Sequence, residues 1–94
     1  MNSVILASII YVTGTGWISG MCNGNNSMMC VRNLENQAEY KAKWDADQRC
    51  QMENGRPLNY TAICNSRCSP TYVPPNSTMT VTCQASCRMQ CETK

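Results

Sequence analysis

Eight cysteines in 94 residues, with no histidine, limit this chain more than any other feature. They are Cys22, Cys30, Cys50, Cys64, Cys68, Cys83, Cys87 and Cys91. An even count at this density in a short chain reads as a disulfide framework, because a small domain buries too little apolar surface to outweigh its chain entropy without cross-links. Connectivity does not follow from the count, since eight cysteines allow 105 pairings. The spacing suggests that Cys64 and Cys68, four residues apart, bridge to two of Cys83, Cys87 and Cys91.

The N-terminus sets the compartment. Val4 to Val12 (VILASIIYV) is an unbroken run of apolar and small residues, too short to span a bilayer and suited to the apolar region of a secretory signal. Gly14-Thr15-Gly16 offers small residues where a signal peptidase inspects the chain. The expectation is a signal peptide over residues 1–16, cut after Gly16 or alternatively after Gly20, and a single cysteine-rich secreted domain over 17–94. The first three residues carry no Lys or Arg, a departure from the usual signal; the competing reading is an apolar first strand. No second apolar stretch follows, so no membrane insertion is expected once the signal is removed. Three N-x-[ST] sequons, at Asn25, Asn59 and Asn76, fit exposed glycosylation sites on such a protein.

Along the mature chain, Trp17 to Met29 is rich in Gly, Asn and Ser and reads as irregular, tied down by Cys22. Cys30, Leu34, Ala38, Ala42, Ala46 and Cys50 then recur every fourth residue, with Glu39/Lys43 and Asp45/Arg49 as opposite charges at helical spacing. Asn54-Gly55 and Pro57 close this stretch, so the pattern predicts one long helix over about Val31–Met52. Cys64 and Cys68 suit a short helical turn, and Pro70, Pro74 and Pro75 an extended loop. Thr78 to Thr82 alternates as a short strand, and Cys83, Cys87 and Cys91 predict a short C-terminal helix. The expected fold is small, disulfide-rich and mainly α, with irregular loops.

The chemistry narrows by exclusion. Without histidine, zinc would need four thiolates, and an oxidising compartment favours disulfides instead. Five of the six carboxylates lie on or at the end of the predicted long helix, where a solvated face accounts for them. No spare cysteine, no histidine and no metal set leave no catalytic equipment, so no enzyme and no cofactor are expected. A net charge of +2, evenly spread, gives no reason to expect nucleic acid as a partner.

Recognition of an extracellular protein is left. Tyr40 and Trp44 share one helix face and are candidate anchors, although a core without any Phe also has a use for Trp44, and core is the favoured reading there. Tyr72, on the rigid Pro70–Thr80 loop, is the third candidate. Met28-Met29 reads as packing beside Cys30.

The stretch ICNSRCSPTYVPPNSTMTVTC resembles the central part of tick evasins, glycosylated salivary proteins that bind chemokines; it covers about a quarter of the chain, and the cysteine spacings on both sides depart from the evasin pattern. The closely spaced terminal cysteines resemble those of sea-anemone-type potassium-channel toxins, whose preceding spacing differs. Neither resemblance carries a function over. The expectation is a secreted, glycosylated, non-enzymatic binding protein of salivary or venom type, acting on an extracellular channel, receptor or cytokine. The alternatives are a small protease inhibitor, using Ser69–Asn76 or Glu53–Asn59 as its loop, and a secreted signalling peptide or pheromone.

Overall fold

Strand alternation, not helical periodicity, organises most of this chain. The computed structural model describes residues 8–93. In chain order they form β1 (Ser8–Asn23), a 3-10 turn (Gly24–Asn26), α1 (Ser27–Met52), β2 (Arg56–Ser69) and β3 (Thr78–Thr93). The strands make one three-stranded antiparallel sheet in the order β1-β3-β2, with β3 central and α1 packed on one face. The mainly α expectation is therefore overturned: one helix covers a sheet that holds most of the cysteines.

Three assignments change with it. The C-terminal helix expected over Cys83–Cys91 is the second half of β3, the short strand expected at Thr78–Thr82 is its first half, and Cys64 and Cys68 sit in β2 instead of a helical turn. The reason is arithmetic. A spacing of four returns to the same face of a helix, but it is also two periods of a strand. In β3, Val81, Cys83, Ala85, Cys87, Met89 and Cys91 are all buried, while Gln84, Ser86 and Arg88 between them are exposed. The stretch read as irregular from Trp17 contains the second half of β1. Residues 1–7 of the expected signal lie outside the described residues; Ser8–Gly16 are the first half of β1, and both proposed cut positions fall within that strand.

The long helix is present, starting four residues earlier than its period predicts. It stops where Asn54 enters the left-handed region at φ 59°, with the Glu53 and Gly55 N–H groups donating to the Cys50 carbonyl. Its buried stripe is Leu34, Ala38, Ala42, Ala46 and Cys50, almost all small. Smallness has a partner on the strand. A Cβ at Gly16 would sit 2.6 Å from the Ala38 carbonyl oxygen and 2.7 Å from the Ala42 nitrogen; one at Gly14 would sit 2.8 Å from the Ala46 Cα and closer still to the Ala42 oxygen and Ala46 nitrogen. Helix backbone thus lies directly on strand backbone, and β1 can accept it only with glycines.

Sulfur fills the rest of the interior. Six of the eight cysteines are buried, beside Met89, Val73 and Val81, in a chain with no Phe. Cys22–Cys30 ties the end of β1 to the first turn of α1, and Cys50–Cys91 ties the last turn of α1 to β3. Cys64–Cys87 and Cys68–Cys83 bridge directly opposed residues of β2 and β3, with Cα atoms 4.0 Å apart in each case. The Pro70–Ser77 loop closes the end of the sheet. Its Val73 is fully buried and donates its N–H to the buried Ser27 hydroxyl at 2.9 Å.

Candidate functional site

The two edges of the sheet differ in kind. β2 carries Pro57 and breaks register between Leu58↔Gln90 and Ile63↔Arg88, where residues 59–62 pinch out of the ladder. Thr61 patches the gap: its hydroxyl donates to the Leu58 carbonyl at 2.6 Å and accepts from the Gln90 N–H at 2.9 Å. β1 has no proline and no charged residue over its 16 positions, and its register with β3 runs unbroken from Ser8↔Thr93 to Asn23↔Thr78. A long, flat, uncharged edge is what pairs readily with another strand, and proteins usually disrupt it.

One point on that edge is capped. The Thr15 N–H points away from β3 and donates to Asp45 Oδ2 at 2.9 Å, and Arg49 Nε reaches the same oxygen at 3.1 Å. Because N–H and C=O groups alternate along a strand, Trp17 and Ser19 also direct theirs to the free edge. Neither has a partner there among the described residues. The Thr15 N–H, above all, holds the Asp45 carboxyl below its usual range; burial opposes it, and the Arg49 guanidinium adds to the lowering.

A groove of about 1100 Å³ runs along this edge, between Thr15–Ser19 and the helix residues Tyr40, Lys41, Trp44, Asp45 and Arg49. Asp45 reaches the strand through the Thr15 N–H and Lys41 through its Cβ beside Gly16, and Tyr40 and Trp44 line the same groove, both exposed. Trp44 is 60% exposed and Tyr40 74%, so neither fills the core, and the core reading of Trp44 is overturned: the stripe of small residues takes that place. Trp17, 64% exposed, lies at the boundary between this groove and a second, smaller depression on the open sheet face beside Arg67 and Gln84. Both tryptophans of the chain therefore border one groove. No family model, curated protein or solved structure matches the chain.

The remaining candidates fall elsewhere. Tyr72 is exposed but lies at the loop end, beside Gly24–Met29, about a depression of 400 Å³. Met28 and Met29 are exposed there too, so they do not pack as expected. Asn25, Asn59 and Asn76 all have exposed side chains, and all lie off the groove: Asn59 in the pinched segment of β2, Asn25 and Asn76 near the Gly24 N–H to Ser77 carbonyl bond. Of the two loops considered for protease inhibition, Ser69–Asn76 has its middle residue Val73 buried, and in Glu53–Asn59 the Arg56 guanidinium is paired with Glu92 at 3.0 Å. Every cysteine is in a disulfide, and the described residues hold no group of three or more His, Cys, Asp or Glu placed to bind a metal. No described helix is long and apolar enough to cross a membrane.

Trp17 escaped the sequence reading because it stood at the boundary of a presumed signal. The available sign was the alternation through Ile10, Val12, Gly14, Gly16, Ile18, Gly20 and Cys22, which sets Trp17 on the outer face.

Proposed function

We propose that this chain is a disulfide-stabilised, non-enzymatic binding protein of the extracellular space whose contact surface is the groove between β1 and α1. Four disulfides suit an oxidising compartment. The observation that carries the reading is that Trp17, from the open face of the strand edge, and Tyr40 and Trp44, from the helix, all exposed, border one groove. Large aromatic side chains kept out of a core that lacks large residues are the usual anchors of a protein interface. The three sequons are proposed as glycosylated; their positions leave the groove uncovered. The partner is an extracellular protein.

An array of purified extracellular domains, probed with the oxidised protein and with the Trp17→Ala/Trp44→Ala double variant, tests this. Both side chains are exposed, so the variant should keep its disulfides and its melting temperature while losing the partner. An array with no binding partner, or a partner held equally by the variant, refutes the reading.

A further inference from the structure

We infer that the groove receives its partner as an extended segment, which adds to the sheet as a fourth strand along the Trp17–Ser19 edge of β1. This rests on the binding reading above and specifies what is bound. The outward N–H and C=O groups of Trp17 and Ser19 offer main-chain hydrogen bonds to such a segment, as in other complexes formed by strand addition. An added strand places successive side chains on opposite faces. One would meet Trp17 on the open face, and its neighbours would meet Tyr40 and Trp44 on the helix side. Asp45 already holds the Thr15 N–H, so pairing stops there and the register of the segment is set.

The geometry selects the occupant. The helix overhangs β1, since it presses on the backbone at Gly14 and Gly16. A second copy pairing β1 to β1 antiparallel would bring its own helix over the same edge, and Tyr40, Trp44, Asp45 and Arg49 of both copies would compete for one space. A bare extended segment has no such layer. The groove contributes Lys41, which has no ion-pair partner among the described residues, beside the mutually paired Asp45 and Arg49. The segment is therefore apolar on alternate residues, with a carboxylate opposite Lys41.

The probe is a displayed library of short random peptides, selected on the oxidised protein and counter-selected on the Trp17→Ala/Trp44→Ala variant. A selected peptide should slow amide hydrogen exchange at Trp17 and Ser19 by more than about tenfold, and N-methylation at alternate peptide residues should weaken it by about tenfold or more while methylation between them does not. Ser19→Pro removes an edge N–H that the sheet itself does not use and should abolish binding; where that variant misfolds, the N-methylation pattern decides alone. Peptides that need both tryptophans yet protect neither amide would overturn strand addition and leave the binding reading standing. Protection of both amides in the free protein, rising with concentration together with a dimer mass, would assign the edge to a second copy and overturn the inference. A library with no tryptophan-dependent binder would overturn strand addition; the extracellular array would still decide the wider reading.

Discussion

Gly14→Ala tests whether β1 belongs to the folded domain, and it does so through the sign of a stability change. In an unconstrained segment, Gly→Ala stabilises by about 0.4–1 kcal/mol, because the unfolded chain loses freedom. Here the new methyl would overlap the Ala42 carbonyl oxygen and the Ala46 nitrogen and lie 2.8 Å from the Ala46 Cα, all of them helix backbone that cannot rotate away. Overpacking of this kind costs about 1–3 kcal/mol or more. The net expectation is a loss of about 1–2 kcal/mol, equivalent to a fall of about 5–15 °C in melting temperature for a domain of this size. Gly20→Ala should be milder, since its nearest neighbour is the end of the Leu34 side chain at 2.9 Å, which can shift. Thermal unfolding of the oxidised proteins, followed by circular dichroism, measures both. A Gly14→Ala protein as stable as the parent or more so would refute the packing of β1 under α1. Intact mass of the secreted product belongs beside it, because a chain cut after Gly16 or Gly20 would lack residue 14 and be indifferent to the substitution.

Three further outcomes follow from single contacts. Asp45 is held below the ordinary aspartate range in the folded state by the Thr15 N–H and Arg49, so its contribution is fully present above the unfolded value near pH 4 and is lost as pH falls through the lower, folded value; a melting-temperature profile into acid should flatten in that window in Asp45→Asn, and an unchanged profile would remove the edge cap from the account. Cys50–Cys91 spans 41 residues, but the intact Cys64–Cys87 bridge shortens the loop it closes to about 19, against 8 for Cys22–Cys30, so replacing the first pair by alanines should cost about 0.8 kcal/mol more than replacing the second, read by guanidinium unfolding. Met89, 1% exposed between sheet and helix, should lose about 2–5 kcal/mol on truncation to alanine, and a smaller loss would mean that the interior collapses around it.

The parts legible in the sequence were those whose signal is local and single-valued. The long helix shows in twenty-odd residues without Gly or Pro, and its end in Asn54-Gly55. What misled was a spacing with two readings. Cys83, Cys87 and Cys91 repeat every four residues on either kind of element, and Ala85 and Met89 between them are what decide for a strand, because a helix would carry them round to its other side. In sequence, Gly14, Gly16 and Gly20 look like the small residues a signal peptidase accepts. Their structural use depends on Ala38, Ala42 and Ala46 lying above them, a contact about thirty residues distant in sequence that composition cannot show. The site was half legible for the same reason: Tyr40 and Trp44 sit on one helix, but Trp17 joins them only across the helix–strand contact.

That contact also explains why a groove exists at all. With two disulfides locking β2 to β3, that side of the sheet is fixed covalently and needs no layer above it to hold register. The helix packs on all three strands but comes closest to β1, drawn there by glycines that permit backbone approach and held at each end by Cys22–Cys30 and Cys50–Cys91. So placed, it buries its small residues downward and presents Lys41, Asp45 and Trp44 along an edge that no strand of its own sheet completes. The disulfides thus do more than replace a large core: by taking over the work of sheet cohesion, they leave one strand edge unspent, and the binding proposal is a proposal about that edge.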